Sequence, residues 1–105
     1  DGAHDAAYLD ALDAALPAVW EHAPDLVLYQ AGADPFHDDQ LGGLALTFEG
    51  LEQRDRRVID GCAARGIPVV VTLGGGYARR TEDTVRIHAT TCRLALETRA
   101  HRRNA

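Results

Sequence analysis

The 105-residue sequence contains no methionine and no lysine. Without a methionine, Asp1 is not a natural translation start, so we expect the chain to be a piece of a longer protein. Without a lysine, every chemistry that requires a lysine amine is excluded. Cysteine is scarce: Cys62 and Cys92 are the only two, and neither has the spacing of a metal-binding pair. They are predicted to be reduced, buried side chains of a cytoplasmic protein.

The sequence also lacks long apolar segments, and its first half lacks arginine. No apolar run approaches the roughly 18 residues of a membrane span, so no membrane partner is predicted. Residues 1–50 carry ten acidic side chains and no arginine, while residues 51–105 carry all eleven arginines and six acidic side chains. The net charge of −5 argues against nonspecific nucleic-acid binding. The asymmetry is typical of halves that pair with each other or with other parts of the protein, or of an acidic entrance for a cationic substrate.

The order of predicted elements is typical of a parallel α/β sheet. They are, in chain order, a helix over about 5–22 that is kinked or divided at Pro17, a strand over 26–29, a helix from its cap Thr47 to the left-handed Gly66, a strand over 69–72 and a helix over about 81–98. A strand, a helix and a second strand in this order form a βαβ unit. Because parallel strands are usually covered on both faces within larger sheets, further strands are expected outside the chain.

The last helix presents apolar residues along one side, which we predict to be its buried side. These residues are Val85, His88, Cys92, Ala95 and Leu96. A histidine on such a side is expected to be a hydrogen-bonded core residue rather than a metal ligand.

Two loops follow the two predicted strands, where sites form in open α/β sheets. The first, over 30–41, contains Asp34, whose carboxylate after a strand end suits Zn²⁺ or Mg²⁺; the alternative is that it caps a turn. The second, over 73–77, has three glycines before Tyr77. This loop could cradle a phosphate with its backbone N–H groups. Alternatively, its glycines could let the backbone approach a substrate closely and present Tyr77 to that substrate as a hydrogen-bond donor. It lacks the lysine of a Walker motif.

Taken together, the two loops carry a resemblance. The motifs AGADP at 31–35, DQLG at 39–42 and GGGY at 74–77 resemble the C-terminal part of the zinc-dependent histone deacetylase family. The segments DGAHDAAYL at 1–9 and LALTFEGL at 44–51 are similar to its bacterial branch near the class IV enzymes. By this resemblance, residues 1–105 are the C-terminal fragment of one catalytic domain. That domain has the arginase/deacetylase α/β fold, which is built around a parallel sheet.

The resemblance also implies roles for single residues. The family hydrolyses acyl-lysine amides or similar acyl-amines at one zinc ion. Asp34 matches the last zinc ligand, Tyr77 matches the tyrosine that assists at the scissile carbonyl, and Gly75 and Gly76 match the glycines that wall the acyl pocket. Asp39 matches an acid of the family's loop, with a structural or supporting role behind the zinc ligands.

The family's other zinc ligands and its pair of adjacent histidines have no counterpart in this sequence. The chain is therefore expected to need the remainder of the catalytic domain as its partner, and to be inactive alone. The alternatives are a nucleotide- or anion-binding α/β module that uses the glycine loop, and a noncatalytic remnant of a deacetylase.

Overall fold

The computed structural model describes residues 4–33, 36, 46–75 and 80–104, with side chains described through Thr98. Its elements are, in chain order, helix α1 (Asp5–Glu21), strand β1 (Val27–Gly32), helix α2 (Phe48–Ala64), strand β2 (Val69–Gly74) and helix α3 (Thr81–Asn104). The predicted order of elements is confirmed. α1 continues through Pro17 as one helix, so of the two alternatives at this proline, a kink or a division, the division is wrong.

The two strands form a parallel pair joined by α2, which confirms the predicted α/β class with its βαβ unit. Their register runs from Val27 opposite Val69 to Gly32 opposite Gly74. Both strands extend further toward their carboxyl ends than the sequence predicted. Backbone hydrogen bonds form a ladder regardless of side-chain polarity, so Gln30 and both terminal glycines join the sheet.

The ends of α2 follow from its sequence. Thr47 is the N-cap, and its hydroxyl oxygen accepts from the Gly50 N–H at 3.0 Å. The carboxylate of Asp5, in the first turn of α1, accepts from the Thr47 N–H at 2.8 Å and also from the Thr47 hydroxyl. After the helix, Gly66 has a φ of 67°, as predicted for a left-handed stop. The cap of α2 is thus tied to the start of α1.

α1 lies along α2 without burying any residue of its own. Its contacts are lateral: the Arg57 guanidinium of α2 pairs with Asp13 at 2.8 Å. The Trp20 ring lies over Gly61, where an added Cβ atom would be 2.8 Å from a ring carbon. The Arg65 guanidinium also lies over the Trp20 ring, and its central carbon is 4.3 Å from the ring centre.

The core lies between the carboxyl end of β1, α2 and α3. Its principal cluster consists of Ala33, Phe36, Leu46, Leu51 and Ile87, with Tyr8 and Phe48 packed against it. The rings of Phe36 and Phe48 stack at 4.8 Å, and Arg86 covers the Phe48 ring at 3.9 Å.

α3 buries a different side from the predicted one. Ile87, Thr91 and Leu94 are buried against the rest of the chain, whereas Val85 and Leu96 are 60% and 66% exposed. α3 has apolar residues on two sides. The side that packs on α2 is the one that carries Thr91, whose hydroxyl donates a hydrogen bond to Asp55 of α2.

Two single-residue predictions on these helices are also wrong. Cys92 is exposed, while Cys62 is buried as predicted, and both are free thiols. His88 is only partly buried, and its Nδ1 atom has no hydrogen-bond partner among the described residues.

One face of the sheet is open. Leu28 is 73% exposed, and its register partner Val70 is 46% exposed. The expectation that both strand faces are covered is therefore not met by the part of the chain that the structure describes. Parallel strands are found almost only in sheets with both faces covered.

Candidate functional site

The carboxyl ends of β1 and β2 lie side by side, so the two candidate loops start at the same edge of the sheet. Gly32 and Gly74, the last residues of the strands, are register partners. The Ala33 N–H donates to the Gly74 carbonyl oxygen at 3.1 Å. Asp34 follows Ala33 in the chain, and Gly75 and Gly76 follow Gly74. The two segments singled out from the sequence therefore start from neighbouring backbone positions.

Of the predicted site residues, Gly75 alone falls within the described ranges. It is exposed and has a φ of 70°, a left-handed conformation that residues with a Cβ atom adopt only with strain. A glycine is thus required where the chain leaves β2. Asp34, Asp39, Gly76 and Tyr77 lie outside the described residues, so their predicted roles stay predictions.

In the first loop, the nearest described residues before and after Asp34 and Asp39 are buried. Ala33 and Phe36 are each 1% exposed, and Leu46 is fully buried. Phe36 and Leu46 form a parallel bridge, and the Phe36 N–H donates to the Ala33 carbonyl at 3.1 Å. The backbone that enters and leaves this loop is consequently part of the core.

Behind the strand ends lies a buried polar network that the sequence did not predict. Its centre is Asp55 of α2, which is 1% exposed. Its Oδ1 atom accepts from the Tyr29 hydroxyl of β1, and from Nε and Nη2 of Arg54 at 3.1 and 2.9 Å. Its Oδ2 atom accepts from the Thr91 hydroxyl of α3 at 2.5 Å. One carboxylate therefore joins a strand and two helices.

Arg54 extends this network to the strand end. Its Nη1 atom donates to the Gly32 carbonyl oxygen at 2.5 Å, while the rest of its guanidinium binds Asp55. Burial alone would lower the pKa of Arg54, but the facing Tyr29 and Asp55 oxygens outweigh burial and raise it. Burial, reinforced by the Asp55 carboxylate, raises the pKa of Tyr29 far above its usual value against the opposing effect of Arg54. Tyr29 is thus held as a neutral donor and Arg54 as a cation.

A sequence signal for this network does exist. Leu51, Val58 and Cys62 form the buried stripe of α2, and Asp55 falls on that stripe at helical spacing. A charged residue at a core position demands a partner, because an unpaired buried charge is costly. Sequence alone could not identify Tyr29 and Thr91 as its partners, since they are 26 and 36 residues away.

The described residues do not form a metal site by themselves. Within 4–33, 36, 46–75 and 80–104, no three histidine, cysteine, aspartate or glutamate side chains cluster closely enough to hold a metal ion. In the same ranges, no helix is both long and apolar enough to cross a membrane.

Comparison with known proteins gives consistent matches. The family profile described as histone deacetylase domain matches residues 1–92. An uncharacterised protein of Picosynechococcus sp. is 47% identical over 72 residues, which are 69% of this chain and 24% of that protein. Histone deacetylase 2 of Arabidopsis thaliana is 37% identical over 79 residues, which are 74% of this chain and 20% of that protein.

A solved structure is similar as well. The crystal structure of acetylpolyamine aminohydrolase from Burkholderia pseudomallei superposes with a TM-score of 0.71 and 25% sequence identity. The match covers 92% of this chain and 25% of that one. This chain therefore spans about a quarter or less of the length of each of these proteins.

Proposed function

Because this chain belongs to the histone deacetylase family, we propose that it supplies one wall of a zinc-dependent amidohydrolase site. The reaction is removal of acyl groups from lysine side chains or similar amines. The observation that carries the proposal is the pairing of Gly32 with Gly74, which starts the Asp34 segment and the Gly75–Tyr77 segment side by side. A hydrolytic site needs its metal ligand and its oxyanion donor within a few ångströms of one reacting carbonyl.

Each proposed role follows from the chemistry of the side chain. The Asp34 carboxylate is one ligand of a zinc ion, which when bound polarises an amide carbonyl and acidifies water. The Tyr77 hydroxyl donates a hydrogen bond to the oxygen that becomes negative as the amide carbonyl turns tetrahedral. Gly75 and Gly76 let the backbone approach the acyl group, and Asp39 supports the loop that carries Asp34.

This chain supplies only part of such a site. A catalytic zinc ion takes three protein ligands as a rule, and Asp34 is the one ligand proposed here. The exposed sheet face with Leu28 and Val70 supports the remainder of the catalytic domain as a partner of this chain, because that remainder would cover these apolar side chains. We propose that the other ligands and the histidine pair come from that remainder.

The substrate is proposed to be an acylated amine. A cleaved acyl-lysine or acylpolyamine leaves a cationic amine, and the acidic excess of residues 1–50 favours cationic groups. The name of the Burkholderia pseudomallei protein, an acetylpolyamine aminohydrolase, points to the same class. The two free thiols are consistent with the cytoplasm, where we place the protein.

Metal content tests the ligand assignment in the complete catalytic domain. We expect Asp34→Ala to lower zinc occupancy and deacylase activity together, since a catalytic site loses one of its three protein ligands. Asp38→Ala is the matched control, because it removes a carboxylate from the same loop. Equal zinc in the two variants by elemental analysis would refute the assignment of Asp34.

Kinetics test the role of Tyr77. We expect Tyr77→Phe to keep zinc and the melting temperature but to lower kcat by about 10²-fold or more, because the hydroxyl acts on the developing oxyanion. The measurement is kcat with an acyl-lysine peptide. A kcat near the wild-type value would return Tyr77 to a packing role.

Ligand binding separates the proposal from its alternatives. A zinc-chelating hydroxamate should bind the complete domain in competition with substrate. Binding of a nucleotide at the glycine loop without hydroxamate binding would favour the anion-binding alternative. Binding of neither ligand would favour a noncatalytic remnant.

A further inference from the structure

We propose that Arg54 and Asp55 are positioning residues, which hold the carboxyl end of β1 and with it the backbone that leads into Asp34. The inference rests on the proposed role of Asp34 as a zinc ligand. It concerns the accuracy with which this ligand is presented, and neither Arg54 nor Asp55 is placed in contact with zinc or substrate.

The charged side chains of Arg54 and Asp55 lie in the core, where an apolar pair would suffice. Arg54 is 4% exposed and Asp55 1% exposed, on a helix whose neighbouring buried positions are Leu51 and Val58. A buried ion pair is weak evidence for stability, because the cost of removing two charges from water largely offsets their attraction. Its geometry is therefore the more informative property.

That geometry points to the strand end. The guanidinium of Arg54 uses Nε and Nη2 for Asp55 and has Nη1 left for the carbonyl of Gly32, the last residue of β1. A planar fork with five donors can make both contacts at once, whereas a lysine ammonium is a point charge on a flexible stem. Tyr29 and Thr91 fix the Asp55 carboxylate from β1 and α3, so the carboxylate in turn fixes the fork.

The backbone before Asp34 is thus held at two successive residues. Arg54 binds the carbonyl oxygen of Gly32, and β2 binds the N–H of Ala33 through the Gly74 carbonyl at 3.1 Å. Loss of the first contact removes the hold from α2. The bond to β2 and the buried packing of Ala33 and Phe36 are then left to set the direction in which the chain leaves the sheet. Partners that orient a metal ligand typically change metal affinity by about 10–100-fold when they are replaced.

The experiment compares Arg54→Lys with two controls in the complete domain. Glu52→Gln is the surface control, since it breaks a different ion pair between α2 and α3, the one that joins Glu52 to Arg93 at 2.7 Å. Leu94→Ala is the stability control, because it destabilises the core at a buried position of α3 that has no part in the network. Should Arg54→Lys fail to fold, Thr91→Val takes its place, since it removes one donor from Asp55.

Two readouts are taken below the melting temperature of every variant. One is hydrogen exchange of the Ala33 amide in zinc-free protein, and the other is the zinc Kd measured against a chromophoric chelator. We expect Arg54→Lys to speed the exchange and to raise the zinc Kd by about 10-fold or more. Glu52→Gln and Leu94→Ala should leave the zinc Kd of the folded protein within a few-fold of the wild type.

The outcomes distinguish this inference from the proposed function. If Asp34→Ala abolishes zinc binding but Arg54→Lys binds zinc as the wild type does, the proposed function stands and the positioning role is overturned. The positioning role is likewise overturned if Leu94→Ala weakens zinc binding as much as Arg54→Lys does. If Asp34→Ala binds zinc as the wild type does, the assignment of Asp34 as a ligand fails. If the Ala33 amide exchanges at the wild-type rate in Arg54→Lys, Arg54 does not hold the end of β1, and the positioning role is overturned.

Discussion

The hydrogen bond from Tyr29 to Asp55 predicts an unusual dependence of stability on pH. Near neutral pH, Tyr29→Phe should lower the free energy of unfolding by about 1.5–3 kcal/mol, the usual contribution of a hydrogen bond to a charged group. Above about pH 10 a tyrosine of the unfolded chain ionises, whereas burial and the Asp55 carboxylate keep Tyr29 protonated in the folded protein. The folded state then binds more protons than the unfolded state, so stability falls as the pH rises.

The size of this loss follows from linkage. One proton bound only by the folded state costs about 1.4 kcal/mol of stability for each pH unit above the unfolded pKa. At about pH 11 the wild type should therefore have lost roughly 1.4 kcal/mol through Tyr29, a loss that Tyr29→Phe cannot suffer. The gap in unfolding free energy between the wild type and this variant should narrow by that amount.

The assay is urea denaturation of the complete domain at several pH values between about 8 and 11, the range that brackets the tyrosine pKa. Thr91→Val is the matched control, because it removes another donor from the same carboxylate without removing a titrating group. Its gap to the wild type should stay constant over this range. A constant gap for Tyr29→Phe, or an equal narrowing for Thr91→Val, would refute the reasoning.

Two further predictions concern α2. Gly61→Ala should destabilise the protein by about 1–3 kcal/mol despite the higher helix propensity of alanine, because the new Cβ atom would be 2.8 Å from a ring carbon of Trp20. Equal or greater stability in urea denaturation would contradict this contact. Thr47→Ala should cost about 1–2 kcal/mol, because the Gly50 N–H and the Asp5 carboxylate each lose a partner, and Thr47→Ser should restore most of it. A thermal melt in which the two Thr47 variants behave alike would argue against the cap.

The sequence predicted those features that depend on neighbouring residues. Thr47 and Gly66 mark the limits of α2 because capping and left-handed stops are local. The buried side of α3 could not be read in the same way. Val85 and Leu96 lie on one apolar side of this helix and Ile87 and Leu94 on another, and contact with α2 decides between them.

The candidate site divides along the same line. The two loops could be located from the strand ends and the motifs, since their positions in the chain are fixed by the elements before them. The grip of Arg54 on Gly32 spans 22 residues and depends on how α2 lies against β1. Periodicity says that Asp55 is buried but does not say what it binds.

The contact between Arg54 and Gly32 also bears on the order in which the chain folds. Every register pair of the sheet joins residues 42 apart in sequence, from Val27 with Val69 to Gly32 with Gly74. Closing so long a segment costs chain entropy before any contact offsets it. The Arg54 contact closes a segment of 22 residues instead, and it needs only α2 and β1. We expect it to form first and to leave β2 a much shorter search for its partner strand.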